Sequence, residues 1–505
     1  MGYVLGIDLG TSSLKGLLVN KKGEIIATAS SSYPLEHPQS GYSEQNPDVW
    51  IDAADQVILT LKEEVEDFTE ELEGISFSGQ MHSLVVLNEQ KKVLRNAILW
   101  NDVRTTNQCE RIMADFGEEI LSITKNIALE GFTLPKILWI QDNEPELWEE
   151  VRHILLPKDY LGYWMTETLH MDYSDAAGTL LLDLNTKKWS QEILDQFNIS
   201  LELLPQLIES VGQTGLLKEE LKQKYGINHD VKIFAGGADN ACAAVGAGIV
   251  DSGTAMASIG TSGVFLSYEY SAEQDYKGKL HLFHHAKEES YYSMGVTLAA
   301  GHSLDWFKST FSPEKSFDEL LADVESVSPG SNGLIFTPYI VGERTPHVDS
   351  LVRGSFIGID TTHKLEHFTR AVLEGITYSL KDSQTIMENE TGRQFKKIVS
   401  VGGGAKNKEW LQIQADIFNA EITSLTAEQG PGLGAAMLAA MGLNWYESYQ
   451  DCTDVFVTYN DSVYPNPEAA LIYEEYYKVY KDIYASTKEI NHRLQNIKRG
   501  EIIEL

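Results

Sequence analysis

A short segment occurs twice, half a chain apart. Near the start the sequence reads Ile7-Asp8-Leu9-Gly10-Thr11-Ser12-Ser13, and later Ser258-Ile259-Gly260-Thr261-Ser262-Gly263. The two Gly-Thr-Ser turns therefore lie 250 residues apart (260 − 10) in a chain of 505. Each has the grammar of a hairpin: an apolar strand, a turn of small residues, then another apolar strand. A match this short recurs by chance, but its coincidence with the half-length points to duplication. Length alone asks for more than one domain, at roughly 100–200 residues each. We place the boundary just ahead of the second hairpin, giving domains 1–247 and 248–505. No Pro/Gly/Ser-rich linker separates them, which predicts a shared interface.

Between the turns the pattern is mixed α/β. Asn46 and Pro47 open an amphipathic helix to Glu64, with Trp50, Ala54, Val57, Ile58 and Leu61 on one face. Strands are expected at 75–78, 84–87, 231–235, 333–336 and 397–401. Helices are expected at 241–248, 367–389 and 409–418, and a Tyr-rich one over 467–499 packs on the second domain or on a partner.

With 43 % hydrophobic residues, disorder is excluded as the main state. The 74 acidic against 40 basic side chains give a net charge of −34, which argues against nucleic acid and against an anionic membrane. Three cysteines far apart draw no disulfide framework or zinc site. No uncharged stretch reaches the roughly 18 residues of a membrane span. The expected setting is a reducing cytoplasm.

Several segments carry chemistry. A turn of small residues exposes backbone N–H groups that can hold phosphate, helped by the hydroxyls of Thr11, Ser12 and Ser13. Asp8, just ahead of the turn, suits Mg²⁺, which takes one or two carboxylates beside phosphates and waters. Gly260-Thr261-Ser262 offers the same donors, with Ser258 in place of the acid. An ordinary polar hairpin reads from the same residues, yet the pair together fits a nucleoside triphosphate between two domains. Asp239, in Gly236-Gly-Ala-Asp239-Asn240, stands at a strand-to-helix corner where it serves as a helix cap or as the base for a hydroxyl proton. Gly402-Gly403-Gly404-Ala-Lys406-Asn407 lets backbone approach a ligand or a neighbouring helix, and Gly430-Pro-Gly-Leu-Gly434 does likewise. Gln80-Met81-His82 and Trp100-Asn101-Asp102-Val-Arg104 combine a flat apolar face with directional donors, the mixture a sugar needs. A loop trapping a buried polar group reads equally well. His363-Lys-Leu-Glu-His367 matches a zinc-peptidase spacing but lacks a third ligand, and His281, His284 and His285 read as a solvated strand end.

Together these segments resemble the FGGY family of carbohydrate kinases. Gly131-Phe-Thr-Leu-Pro-Lys136-Ile-Leu-Trp139 and Gly354-Ser-Phe-Ile-Gly358, followed by His367-Phe-Thr-Arg-Ala-Val-Leu-Glu374, look like its two diagnostic segments. The likeness runs from about residue 4 to 442, with the motifs in the family's order. Gly79-Gln-Met-His82, Leu99-Trp-Asn-Asp102, Leu156-Pro-Lys-Asp159, Ser174-Asp-Ala-Ala-Gly178 and Gly342-Glu-Arg-Thr-Pro-His347 are similar to the branch that acts on D-xylulose. Departures are Ser83, Val103 and Ala238, each where the family usually has Gly.

The resemblance implies two actin-like (ribonuclease-H-like) α/β domains with a catalytic cleft between them, and ATP-dependent phosphorylation of D-xylulose. Asp239 would be the base and Asp8 would help hold Mg²⁺. Gly10, Thr11, Ser12, Ser13 and Lys15, with Gly260, Thr261 and Ser262, would meet the ATP phosphates. Gly403, Gly404 and Asn407 would border the adenosine. Gln80, Met81, His82, Trp100, Asn101, Asp102, Arg104 and Asn240 would shape the sugar pocket. A homodimer is compatible with the family. The alternatives are a kinase of gluconate, ribulose or glycerol, and a non-catalytic actin-like nucleotide-binding protein.

Overall fold

The computed structural model describes residues 2–499, and its first strand, β1 (Tyr3–Leu9), is buried along nearly its whole length. Its unbroken apolar run requires this of a strand covered on both faces. It pairs antiparallel with β2 (Ser13–Asn20), which pairs with β3 (Ile25–Ser32). On its other edge it pairs parallel with β4 (Leu72–Gly79). Strands β5 (Gln213–Leu216) and β6 (Lys232–Phe234) complete the order β5-β6-β4-β1-β2-β3, and the short β7 (Gly237–Ala238) pairs the end of β4. Helix α1 (Asp48–Glu64) packs Trp50, Val57, Ile58 and Leu61 across β2 and β3. The Asn46 Oδ1 accepts from the Asp48 amide at 3.0 Å, fixing the helix start where the sequence places it.

The second half repeats the plan. Strands β8 (Thr254–Ile259), β9 (Gly263–Glu269), β10 (His281–His284), β11 (Tyr291–Thr297), β12 (Lys397–Gly402) and β13 (Glu421–Ser424) run in the order β10-β11-β9-β8-β12-β13. In both halves the hairpin's first strand pairs antiparallel with its return and parallel with a strand from far along the chain. The repeat is therefore one of topology, and the architecture is the doubled actin-like α/β plan. The turns differ by one residue: Leu9 pairs with Leu14, but Ile259 pairs with Gly263.

Six helices matter below: α2 (Asp239–Gly246), α3 (Gly301–Phe311), α4 (Leu365–Thr391), α5 (Lys408–Phe418), α6 (Pro431–Gly442) and α7 (Pro467–Arg499). Helix α6 has no charged residue and is buried continuously from Gly432 to Ala440. It belongs to the second half in sequence but packs on β1 and β4 of the first, and against α2. Small residues permit this. A methyl on Gly434 would overlap the Cys242 carbonyl, and one on Gly6 would overlap that of Gly432. Of the two readings of the 430–434 glycines, helix packing is the one realised, and one core runs through both halves.

Helix α7 lays Tyr473, Tyr477 and Tyr480 on the second half. The Tyr473 hydroxyl donates to Glu374 at 2.7 Å and that of Tyr477 to Asp382 at 2.6 Å, both on α4. The last six residues of the second domain lie outside those described. The three cysteines are buried free thiols, and no described helix is long and apolar enough to cross a membrane.

One expectation fails. His281, His284 and His285 are buried rather than solvated: β10 packs His281 on Phe132 and His284 on Tyr173 of the first half, and His285, just after it, lies against Tyr268 and Tyr292. Burial pulls His284 and His285 down to about 3, so both stay neutral. His363 and His367 hold no metal cluster among the described residues; their Nδ1 atoms accept from the Asp360 and Lys364 amides ahead of α4.

The α6 contact is testable. Gly434→Ala should lower stability by roughly 3 kcal/mol or prevent folding, since carbonyl backbone cannot give way. Gly260→Ala, whose nearest neighbour lies 3.7 Å away, should stay within about 0.5 kcal/mol by thermal unfolding.

Candidate active site

Strand register brings two carboxylates to one end of the first sheet. Asp8 lies opposite Ser78 across β1 and β4, and Ser78 lies opposite Gly237 across β4 and β7, two residues before Asp239. Asp239 opens α2. Its Oδ1 accepts from the Asn240 amide at 2.6 Å and the Asn240 Nδ2 at 2.9 Å. Its Oδ2 accepts nothing from the described residues. Burial, and after it the charge of Asp8, pushes Asp239 up to about 7. Burial also raises Asp8 to about 6, against the pull of the Ser78 hydroxyl and the Lys15 charge.

Both turns have their carbonyls held from behind. In the first, Gly10 O accepts from the Tyr33 hydroxyl at 2.6 Å, Thr11 O from Gln45 Nε2 at 2.7 Å and Ser12 O from the Tyr33 amide at 3.1 Å. In the second, Gly260 O accepts from the Gly301 amide at 2.7 Å, and Thr261 O from the Ala300 and His302 amides at 3.0 and 3.1 Å. The amides of Thr11, Ser12, Thr261 and Ser262 donate to nothing among the described residues. Two sets of free N–H donors thus face the cleft from opposite halves, the arrangement that receives an anion. The backbone-holding residues Tyr33 and Gln45 carry no motif and were not legible in the sequence.

The second turn borders a cavity of about 470 Å³. Its lining joins Gly260 and Thr261 to Gly403, Gly404 and Asn407, as the sequence groups them, and adds His302, Asp305, Phe317 and Trp410. The register of Ile259 opposite Gly402 brings the triple glycine beside the turn. Gly402 has a φ of +84°, and a methyl on Gly404 would overlap the Ile259 side chain. Asn407 Oδ1 accepts from the Trp410 amide at 2.9 Å, starting α5. Ser262 lies outside this lining, and so does the first turn.

On the other side of the acid pair, Asn240 Nδ2 sits 3.8 Å from Met81 Sδ. His82, at a φ of +68°, has Nδ1 2.6 Å from the Gly178 carbonyl and its ring against Phe132. Burial lowers His82 to about 3. A neutral ring that donates from Nδ1 leaves Nε2 as an acceptor. Gln80 is buried, and its Nε2 has no partner among the described residues. Trp100 is half-exposed and its Nε1 donates to Thr11 Oγ1 at 2.9 Å, joining this loop to the first turn. Asn101 is exposed.

Three residues that the sequence groups with ligands are engaged elsewhere. Asp102 takes Arg104 Nε at 2.9 Å and Nη2 at 2.7 Å, and accepts from the Ser43 amide at 2.6 Å. The Arg104 guanidinium is stacked between Tyr42 and Trp139. The pair braces the Trp100 loop from beneath. Lys15 Nζ donates to Gln429 Oε1 at 2.9 Å, a bond between the two halves.

Residues 3–246 match the N-terminal domain of the FGGY family of carbohydrate kinases, and residues 255–443 match its C-terminal domain. The chain belongs to this family of carbohydrate kinases. It is 56 % identical over 98 % of its length to the xylulose kinase of Lactococcus lactis subsp. lactis, covering 99 % of that protein. Among solved structures, a xyloylose kinase from Brucella ovis matches with a TM-score of 0.92 at 32 % identity, over 97 % of this chain and all of that one. A gluconate kinase from Lactobacillus acidophilus also reaches 0.92, at 29 % identity, over 96 % of this chain and 98 % of that one. Backbone shape therefore does not distinguish the sugar.

The raised Asp239 has a consequence for stability. A folded-state pKa of about 7, above the ordinary carboxyl value of 3.8, means that the folded protein binds a proton more tightly than the unfolded chain. Its ionisation weakens the fold as pH rises from about 4 through 7. Asp239→Asn should raise the unfolding temperature at pH 8, by up to about 4 kcal/mol of stability, and the gain should vanish near pH 4.

Proposed function

We propose that the chain transfers the terminal phosphoryl group of ATP to D-xylulose, giving D-xylulose 5-phosphate and ADP. The observation that carries the reading is Asp239: a half-buried carboxyl held near neutrality by loss of water and by Asp8, with one oxygen free. The xylulose kinase relatives support the choice of sugar. A non-catalytic nucleotide-binding role leaves Met81, the neutral His82 and the free Asp239 oxygen without purpose.

In this reading the sugar lies against Met81, His82 and Asn240, with Gln80 and Trp100 at its margin and its terminal hydroxyl toward Asp239 Oδ2. Phosphoryl transfer asks little covalent help of a protein beyond positioning and charge stabilisation. Asp239 accepts the hydroxyl proton as the oxygen attacks, and a base titrating near 7 is matched to that work at neutral pH. The adenosine occupies the 470 Å³ cavity beside Gly403, Gly404 and Asn407. The phosphates extend to the free amides of Thr261 and Ser262 and, across the cleft, to those of Thr11 and Ser12, with Gly10, Ser13 and Gly260 completing the turns. Asp8 suits a Mg²⁺ that arrives with the phosphates, because a single carboxylate is what such an ion takes from a protein. The division of labour follows domains 1–247 and 248–505, the first bringing sugar and base, the second the nucleotide. Three buried free thiols suit a cytoplasmic setting.

Asp239→Asn should cut sugar-stimulated ADP release at least about 100-fold while ATP affinity by calorimetry stays within about threefold. Turnover like that of the wild type in this variant overturns the role. In the unsubstituted enzyme kcat/KM should rise with pH around a midpoint near 7, since the base must be ionised in the free protein. Asp8→Asn removes a neighbouring negative charge and should move that midpoint downward.

A further inference from the structure

The loop Gly342–His347 of the second half carries Arg344 beside the end of β11. Its two ends are fixed on the end of β11. Glu343 accepts from the Thr297 hydroxyl at 2.5 Å and from the Leu298 amide at 3.0 Å. The Thr345 amide donates to the Val296 carbonyl at 3.0 Å, and its hydroxyl accepts from the Val296 amide at 3.0 Å. Arg344 lies between these anchors, so its backbone is pinned, and its amide donates to Glu343 Oε1 at 2.7 Å. Thr297 pairs with Gly263 at the base of the second turn, while neighbouring β10 carries His281 toward Phe132, whose ring lies 4.7 Å from that of His82.

The guanidinium itself has no partner. Among the described residues it donates no hydrogen bond and makes no ion pair, although the residue is partly buried. Its charge acts on His82 and His281, both neutral, and it feels the charges of Glu130 in the first half and of its neighbour Glu343. Neither Asp8 nor Asp239 feels the charge of Arg344, so it lies farther from the acid pair than from His82. A guanidinium brings five donors in a rigid fork and is costly to leave unpaired out of water. Glu343, the nearest acid in sequence, is already filled by Thr297, Leu298, Ser379 and its own neighbour's amide.

We propose that Arg344 is a sugar-binding residue, donating to the oxygens at the end of the sugar opposite the hydroxyl that is phosphorylated. For an open-chain ketose these are the keto oxygen and the adjacent hydroxyl. The contact joins the second half to a ligand otherwise held by the first, so sugar binding and closure of the cleft are coupled through it. This inference rests on the kinase reading above. It does not depend on which sugar is preferred.

The test compares Arg344→Gln and Arg344→Lys in the full-length protein, using whichever sugar a panel shows to be phosphorylated best. Sugar binding without nucleotide is followed by tryptophan fluorescence, and KM is measured separately for sugar and ATP. Arg344→Gln should raise the sugar Kd and KM at least tenfold, with kcat within about threefold and the KM for ATP within twofold. Arg344→Lys, which keeps the charge, should lose less. A sugar KM unchanged within twofold overturns the proposal, and an equal rise for ATP overturns it by placing the guanidinium on the phosphates. If Glu130→Gln reproduces the loss and adds nothing to Arg344→Gln, Arg344 is a latch to Glu130 and the proposal also falls. Should Arg344→Gln fail to fold, the lysine variant's split between sugar and ATP decides. Failure of the kinase reading is separate: no sugar would stimulate ADP release in the unsubstituted protein.

Discussion

Two half-buried carboxylates at one end of the first sheet are both raised by loss of water, and the charge of Asp8 raises Asp239 further. That constraint organises the cleft. It holds Asp239 near 7 and Asp8 near 6, well above ordinary carboxyls, and it exists because the β1–β4–β7 register leaves no other place for them. The protein offsets part of the resulting instability locally: Asn240 gives Asp239 two hydrogen bonds, one from its backbone amide and one from its side chain, and the Lys15 charge draws Asp8 down. The same pair then has a use, one oxygen left free for a proton and one acid left for a metal ion that comes with its ligand.

The second organising contact is α6. A helix from the second half that lies on β1 and α2 of the first fixes the floor of the cleft at the acid pair, since Gly432 approaches Asp8 and Gly434 approaches Cys242, three residues beyond Asp239. Beside α6, Lys15 of β2 donates to Gln429 just ahead of that helix, a further bond between the halves.

The duplication was legible because it rests on local grammar: two strand-turn-strand patterns at half-length spacing predict two hairpins, and both form. Asp8 and Asp239 stood out singly, one as a metal-holding acid and one as a helix cap or base, but their juxtaposition comes from the strand register. Asp102 and Arg104 show the limit. Their residue types suit a sugar, but Tyr42, Trp139 and Ser43 enclose them, and these come from distant segments. The histidines of β10 misled for the same reason, since a strand edge is solvated only if nothing from the other half covers it. Tyr33, Gln45 and Phe317 left no signal, because holding a turn's carbonyls or lining a cavity needs no motif. Arg344 did leave one, inside a segment quoted for its family likeness, but its lack of a partner is visible only once the cleft is assembled.

A net charge of −34 is compatible with the proposed phosphate site, which uses backbone N–H groups rather than a field of lysines. The central claim is that this cleft turns a ketose into its phosphate ester. The most direct measurement is kcat/KM from coupled ADP release over a panel of D-xylulose, ribulose, gluconate and glycerol. The account predicts the highest value for D-xylulose; a higher value for gluconate or glycerol would contradict it.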